Sequence, residues 1–205
     1  ADRILDELEA ESGYRARRAA IEAFNAKTRV RQRGLAITPL KFGISFTATP
    51  LNQGGALVNV YSDGSIILNH GGTEMGQGLN TKMAQVAADG LGVPMERVRV
   101  TATDTLKVPN ASATAASSGA DINGAAIMNA CEQLRARLAP VAARMLGCDS
   151  AEVRFAGGAA HGGGRSVAWN DLAKQAWLDR VGLSVTGFYR TPEIGYDNVK
   201  LQGRP

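Results

Sequence analysis

A glycine-rich stretch in the middle of the chain, residues 70–79, has the composition of a ligand-binding loop. It reads HGGTEMGQGL and holds four glycines in eight residues, which lets the backbone take positive φ values and approach a ligand closely. A hairpin pattern precedes it and apolar residues at helical spacing follow it. It therefore leads into a helix N-terminus, where free N–H groups favour anionic or oxygen-rich groups. It lacks the Walker and dinucleotide-binding spacings, and spacing alone leaves both a ligand-binding loop and a plain tight turn open.

A second stretch, residues 108–121, is small and rich in hydroxyl groups, and it also precedes a helical pattern. It reads VPNASATAASSGAD and has almost no bulky side chain. One interpretation is a flexible linker. The other is a close-fitting loop whose small residues let a ligand approach. Binding chemistry is therefore expected at two loops, each of which opens a helix.

The composition excludes several classes of site. With only Cys131 and Cys148, neither a disulfide framework nor a four-cysteine metal site can form, and this usage suits a reducing cytoplasm. His70 and His161 are the only histidines, too few for a histidine-rich metal cage. No apolar run approaches the roughly 18 residues of a membrane span. We expect no signal peptide, because the N-terminal region is acidic and helical.

The basic charge is concentrated early in a chain of net charge +4 and pI near 9.3. One interpretation is a phosphate or nucleic-acid patch. The cluster contains Glu22, however, and shows no pattern of interleaved aromatic side chains for base stacking. A solvated helix face followed by a basic linker is the favoured interpretation, and we expect no nucleic-acid partner. The basic residues are Arg15, Arg17, Arg18, Lys27, Arg29, Arg31 and Arg33.

Periodicity and turn signals predict the elements that position the two loops. The expected helices span residues 2–11, about 14–28, about 78–91, about 122–145 and about 170–178. Ser12 and Asn170 are expected as caps, Pro140 should kink or split its helix, and Tyr14, Arg17, Ile21 and Phe24 should form a core stripe. The expected strands lie in residues 33–47 (broken by Pro39), 98–102 and 183–189. Two hairpins are expected, over 56–68 and over 152–169, the second around a glycine-rich tip that carries an exposed His161.

This element order indicates the fold class. It lacks the regular βαβ alternation of a doubly wound sheet. We therefore predict an α+β fold with mixed sheets and packed helices.

Five ordered motifs carry a family resemblance. They are residues 42–47 (FGISFT), 71–78 (GGTEMGQG), 108–110 (VPN), 114–121 (TAAS followed by AD) and 187–192 (GFYRTP). In this order and at these separations they resemble the molybdenum-cofactor-binding part of the xanthine dehydrogenase family of molybdenum hydroxylases. The resemblance covers nearly the whole chain, from about Leu5 to Tyr196.

The resemblance implies a division of the chain and a fold for each part. Residues 1–30 would be an N-terminal helical segment or linker, residues 31–196 a molybdopterin-binding α+β region, and residues 197–205 an irregular tail at the end of a fragment.

The resemblance also implies a molybdenum-molybdopterin cofactor and the residues that bind it. Gln77 would hydrogen-bond the pterin, with the backbone of Met75 and Gly76 beside it. Ala116 and Ser117 would contact the pterin or its phosphate from the second loop. The family's protein chain gives the metal no direct ligand, which agrees with the missing Cys/His cluster.

The implied substrate is a purine, hypoxanthine or xanthine. Phe46 would meet the flat ring edge-on, Thr47 would hydrogen-bond it, and Ala116 would contact it as well. Without the resemblance, Phe46 would be read as a core residue, Ser117 as a helix cap and Gln77 as a surface residue. Glu74 is read as a first-turn carboxylate or a surface charge.

The resemblance further implies that this chain is a fragment without catalytic residues. The family's catalytic glutamate lies downstream of it, and other substrate and cofactor contacts lie upstream, so we expect the chain alone to be inactive. Its partners would be the remainder of a cytoplasmic molybdenum subunit and Fe–S and FAD domains or subunits that pass electrons to NAD. The alternatives are an aldehyde oxidase or other molybdenum hydroxylase, and a non-catalytic binding or assembly module.

Overall fold

The computed structural model of the protein describes residues 2–38, 40, 43–108 and 110–204. Pro39, Phe42 and Pro109, which entered the sequence interpretation, lie outside the described residues. The chain divides into two compact units, Ala1–Phe42 and Gly43–Pro205. The division after residue 30 and the role given to each part remain predictions, because compactness alone assigns no function.

The first unit contains two helices, α1 (Asp2–Ser12) and α2 (Tyr14–Asn25), with Gly13 between them in a left-handed conformation, φ 60°. Ser12 is not a cap, because it belongs to the end of α1 and Gly13 occupies the cap position of α2 without a side-chain hydrogen bond. The predicted core stripe of α2 is wrong, since neither helix has a buried residue. Two short helices bury little surface against each other.

The strand region predicted over residues 33–47 is also wrong. Residues 33–38, 40 and 43–47 form no strand in the described chain. Ser45 has a φ of 79°, which interrupts an extended backbone. Apolar alternation without a neighbouring strand to pair with does not make a ladder.

The second unit contains nine strands and three α-helices in its described residues. The strands are β1 (Gln53–Val60), β2 (Ile66–His70), β3 (Val98–Val100), β4 (Arg154–Ala156), β5 (Ala159–Gly162), β6 (Arg165–Ala168), β7 (Ser184–Arg190), β8 (Gly195–Asp197) and β9 (Gln202–Arg204). The helices are α3 (Leu79–Leu91), α4 (Gly119–Leu146) and α5 (Trp169–Leu178).

The main sheet has the order β3-β2-β1-β7. β1 pairs antiparallel with both β2 and β7, and β3 runs parallel to β2. The alternating Ala56, Val58 and Val60 are all buried, as the hairpin prediction requires. The Asp63 carboxylate accepts hydrogen bonds from the backbone N–H of Ser65 at 2.9 Å and from its hydroxyl at 2.6 Å, which closes the β1–β2 turn.

Helices α3 and α4 cover one face of this sheet and form the core with it. α4 packs on β1 and β7, and α3 packs on α4. Gly187 permits the close contact, because a Cβ on it would lie 1.9 Å from the carbonyl oxygen of Ala126 in α4. Of the two outcomes expected at Pro140, the split is wrong, because α4 continues as one helix to Leu146. The kink stays a prediction. Buried core side chains include Leu79, Met83, Ala87, Leu91, Ile127, Ala130, Leu134, Leu138 and Val141.

A second, three-stranded sheet of order β4-β5-β6 replaces the hairpin predicted over 152–169. Two turns, 157–158 and 163–164, each hold two glycines with positive φ and reverse the chain twice. His161 is exposed, as expected, but lies in β5 rather than at a tip. Asn170 is not the cap of α5, because that helix begins at Trp169 and Ala168 precedes it. Buried Trp169 donates its indole N–H to the carbonyl of Gly64 at 2.9 Å.

The C-terminal part of the chain, expected as a strand over 183–189 and an irregular tail over 197–205, differs in two respects. β7 extends to Arg190, and β8 and β9 form a short antiparallel hairpin. The α+β class with mixed sheets and packed helices is confirmed. Within the described residues, no helix combines the length and apolarity needed to cross a membrane.

Candidate functional site

The two loops singled out in the sequence meet at one cavity. We call residues 71–78, before α3, the glycine loop, and residues 110–118, before α4, the small-residue loop. The cavity has a volume of about 450 Å³. Its lining comprises Met75, Gln77, Leu79, Lys82, Thr114, Ala115, Ala116, Ser117, Gly119 and Ala120.

Close backbone approach and one hydrogen bond join the two loops. A Cβ on Gly71 would lie 2.2 Å from the Cβ of Ala111, so the loops can meet here only because residue 71 is glycine. The backbone N–H of Thr73 donates to the Thr114 hydroxyl oxygen at 2.7 Å. These contacts between the loops therefore help to fix the relative position of the two walls.

Gln77 lies in the lining, and its amide closes the glycine loop. The amide nitrogen donates to the carbonyl of Thr73 at 2.9 Å, and the amide oxygen accepts from the N–H of Met75 at 2.6 Å. Both ends of the side chain are thus paired within the loop. These two bonds use one of the two amide N–H groups and one of the two oxygen lone pairs, so a ligand can bond this amide without displacing either loop contact.

Glu74 caps the start of α3. Its carboxylate accepts from the backbone N–H groups of Asn80 at 2.9 Å, Gly76 at 2.8 Å and Gly78 at 3.1 Å. These backbone hydrogen bonds, led by that of Asn80, lower the pKa of Glu74. The N-terminus of α3 was expected to bind an external anionic or oxygen-rich group. That expectation is wrong for these N–H groups, because the Glu74 carboxylate already accepts their hydrogen bonds.

His70 anchors the beginning of the glycine loop from the core side. It is buried, and its Nδ1 accepts from the N–H of Gly72 at 3.1 Å, so Nε2 carries the proton and faces the Asn80 amide oxygen at 3.1 Å. Burial is the main cause that lowers the pKa of His70, which keeps the ring neutral. This role of His70 was not among the expectations from the sequence.

The small-residue loop carries unusual backbone conformations. Ala116 and Ser117 have φ values of 52° and 55°, a left-handed region that side chains disfavour, and Ser118 returns to −92°. Alternation of this kind turns successive backbone N–H groups toward one side. The buried Ser118 hydroxyl donates to the carbonyl of Ala115 at 3.2 Å and helps hold the turn.

Phe46 and Thr47, the expected substrate contacts, lie beside this loop but do not line the cavity. The N–H of Ser45 donates to the carbonyl of Ala116 at 3.0 Å, which places the following two residues next to it. Phe46 is half-buried and Thr47 exposed. Ser45, Ala116 and Ser117 all have a positive φ, and clustered strain of this kind is typical of functional sites.

Asn52 is a site neighbour that the sequence analysis missed. Only 2% of its surface is exposed. Its amide oxygen accepts from the N–H of Phe46 at 2.8 Å, and its amide nitrogen donates to the carbonyls of Phe46 at 3.0 Å and Thr49 at 3.3 Å. No motif marks such a residue, because its contacts depend on how residues 46–52 fold back.

The charge of the cavity is positive. Lys82 is the only ionisable side chain among its described lining residues. The backbone N–H groups of residues 119–121, in the first turn of α4, find no acceptor in the part of the chain that the structure describes. A cation and unpaired N–H groups at a helix start both favour an anionic ligand.

Comparison with known proteins identifies the family of this fold and cavity. The family model of the molybdopterin cofactor-binding domain matches residues 7–205. The chain belongs to the molybdopterin cofactor-binding domain family.

Relatives of this family member include xanthine dehydrogenases. It is 48% identical over 195 residues to "Xanthine dehydrogenase" of Drosophila subobscura, a match that covers 95% of this chain and 13% of that protein. It is 46% identical over 203 residues to "Xanthine dehydrogenase/oxidase" of Gallus gallus, covering 99% of this chain and 14% of that protein. The chain therefore spans 13–14% of the length of these relatives.

Solved structures share the fold of this molybdopterin cofactor-binding domain. Cu,Mo-CO dehydrogenase matches with a TM-score of 0.75 and 20% identity, over 94% of this chain and 26% of that one. Quinoline 2-oxidoreductase from Pseudomonas putida 86 matches with a TM-score of 0.72 and 20% identity, over 97% of this chain and 29% of that one. At this level of identity the likeness concerns the fold alone.

The donor set at the cavity fits a molybdopterin. Its volume lies within the roughly 300–1,000 Å³ of small-molecule sites, and amide, hydroxyl and backbone N–H groups suit a heterocycle rich in donors and acceptors. Among the described residues, no three His, Cys, Asp or Glu side chains converge to hold a metal ion. Of the expected cofactor contacts, Met75, Gln77, Ala116 and Ser117 line the cavity, and Gly76 does not.

Proposed function

We propose that this chain forms one wall of the molybdenum-cofactor site of a xanthine dehydrogenase, which hydroxylates hypoxanthine and xanthine. The observation that carries the proposal is the meeting of the glycine loop and the small-residue loop at one cavity of about 450 Å³. Relatives that are 46–48% identical over almost the whole chain support xanthine dehydrogenase in particular.

The cofactor would lie between the two loops. Gln77 and Ser117 would hydrogen-bond the pterin, with the backbone of Met75, Gly76 and Ala116 beside it. Lys82 and the unpaired N–H groups of α4 would attract the negative phosphate. When bound, the molybdenum group supplies the two-electron oxidation and the oxygen transfer. We propose no metal ligand from this chain.

The segment of Phe46 and Thr47 would orient the purine, together with Ala116. An aromatic contact to a planar ring is worth roughly 0.5–1.5 kcal/mol beyond the burial of its area. Such a contact aligns the ring, and alignment of the reacting atoms itself accelerates the chemical step. The hydrogen bond from the Ser45 N–H to the carbonyl of Ala116 supports the placement of Phe46 and Thr47 beside Ala116.

The remaining parts of the reaction would come from outside this chain. We propose that the catalytic glutamate, the remainder of the molybdenum subunit, and the Fe–S and FAD parts lie elsewhere in the intact enzyme. The 205-residue chain alone should then retain no molybdenum and oxidise no xanthine. One wall offers few contacts, and few contacts do not offset the entropy lost on binding.

The test uses the full-length protein that carries this chain, expressed with molybdate. We expect bound molybdenum and pterin by metal analysis and pterin fluorescence, together with oxidation of xanthine. Phe46→Ala should lower kcat/KM for xanthine, per molybdenum, by about two- to tenfold from lost ring contact and up to about a hundredfold with misalignment.

Phe155→Ala is the matched control, because Phe155 is also partly buried but lies in the second sheet. It should leave kcat/KM per molybdenum unchanged. Absence of molybdenum after cofactor-replete expression would favour a non-catalytic binding or assembly module. Molybdenum with aldehyde oxidation but no xanthine oxidation would favour another molybdenum hydroxylase.

A further inference from the structure

The backbone of Phe46 is held on both sides by the Asn52 amide. Its N–H and its carbonyl each bond the same side chain, at 2.8 and 3.0 Å. This pattern reproduces, with a side chain, the paired bonds that two strands exchange. The backbone of Phe46 is therefore hydrogen-bonded as a strand residue would be, although Phe46 lies in no strand.

Asn52 is itself fixed by the main sheet. Its carbonyl accepts from the N–H of Thr191 at 3.0 Å, and Gln53, the next residue, begins β1 and pairs with Arg190. Ser45, the residue before Phe46, donates its backbone N–H to the carbonyl of Ala116 in the small-residue loop. The segment that carries Phe46 is thus tied to the end of β7 on one side and to the cavity wall on the other.

The burial of Asn52 makes these bonds consequential. At 2% exposure, water cannot readily replace a lost partner, and a buried unpaired amide or carbonyl is costly. Displacing Phe46 along the chain would break both bonds at once. The arrangement therefore restricts Phe46 more tightly than its half-buried side chain alone would.

We propose that Asn52 is a positioning residue for the substrate: it sets the placement of Phe46 and, through it, of the purine ring. The inference rests on the proposed function, since it assumes that Phe46 contacts the substrate. Asn52 touches neither substrate nor cofactor in this scheme. A purely structural role at the start of β1 is the competing explanation.

A double-mutant cycle in the full-length enzyme distinguishes the two. Asn52→Ala, Phe46→Ala and the double variant are compared with wild type by kcat/KM for xanthine at matched molybdenum content. If Asn52 acts through Phe46, Asn52→Ala should lower kcat/KM about tenfold or more when Phe46 is present. It should lower it less than about twofold once Phe46 is alanine, because coupled residues are not additive.

Asn69→Ala provides the control for losing a buried amide. Asn69 is exposed to the same 2% and bonds Thr101 rather than Phe46. Asn69→Ala should change kcat/KM for xanthine by the same factor whether residue 46 is phenylalanine or alanine. Asn52→Ser and Asn52→Asp carry the same expectations and replace Asn52→Ala if that variant does not accumulate.

The outcomes separate this inference from the proposed function. Xanthine oxidation by wild type with equal Asn52 factors in both backgrounds would overturn the positioning role alone. A molybdenum-loaded wild type that does not oxidise xanthine would overturn the proposed function and this inference with it. A large loss of kcat/KM on Asn52→Ala that occurs only when residue 46 is phenylalanine supports both the proposed function and the positioning role.

Discussion

The hydrogen bond from the Thr73 N–H to the Thr114 hydroxyl offers a test of how the cavity is held together. At 2.7 Å it joins the glycine loop to the small-residue loop. Thr114→Val keeps the shape of the side chain and removes the acceptor. Thr114→Ser keeps the acceptor and removes the methyl group, so the pair separates hydrogen bonding from packing.

The expected magnitude follows from the exposure of this bond. A neutral hydrogen bond contributes about 0.5–1.5 kcal/mol net. Thr73 is exposed, so water can replace the lost partner and the lower part of that range applies. A loss of about 0.5–1 kcal/mol corresponds to about a two- to fivefold change in an equilibrium or rate constant. We expect the cofactor to dissociate about two- to fivefold faster from Thr114→Val.

The assay follows molybdenum loss from the full-length enzyme in mild guanidinium, with the three proteins at equal starting loading. Thr114→Ser should lose the metal group at nearly the wild-type rate, and Thr114→Val faster. Equal rates for all three would show that the bond does not hold the walls together. Faster loss from Thr114→Ser than from Thr114→Val would assign the effect to packing instead.

Three further perturbations test the cap, the core and the charge. Glu74 has a lowered pKa, so its stabilisation should be complete above about pH 4.3 and should disappear as the pH falls through the lower folded value. The difference in unfolding free energy between wild type and Glu74→Gln should therefore shrink on acidification, and a constant difference would contradict the capping role. Gly187→Ala should destabilise by at least about 1–3 kcal/mol in urea unfolding. Gly195→Ala, where a Cβ would meet nothing within 4 Å, should change little. Lys82→Gln should speed cofactor loss about two- to fivefold at low salt, whereas Lys174→Gln on α5 should not.

The sequence predicted those elements in which buried apolar residues recur at a regular spacing within a short stretch of chain. The stripes of α3 and α4 recur at helical spacing, and Gly92 ends α3 with a left-handed φ of 70°, as expected of a C-terminal glycine. The alternation in β1 and β2 predicted the hairpin for the same reason. These signals are properties of short windows, so they can be read without knowing the fold.

The errors concern features that depend on distant partners. Residues 33–47 show apolar residues suited to a strand but find no neighbouring strand. The second sheet was not predicted, because the glycine pairs of its two turns were assigned to the tip of a single hairpin. At the site, both loops were recognised from composition. Asn52 and His70 were not recognised, since a single polar residue reveals its partners only after the chain has folded around it.

The left-handed Ala116 and Ser117 have a consequence for how this loop can be probed. Glycine at position 116 would relieve roughly 1–2 kcal/mol of backbone strain, while the unfolded chain would gain about 0.5–1 kcal/mol of conformational freedom. The two contributions largely cancel, so a melting temperature would register little. The folded loop would nevertheless sample more shapes, and a ligand would have to select one of them before binding. Retention of the ligand, rather than resistance to heat, is therefore the measurement that reports on this backbone.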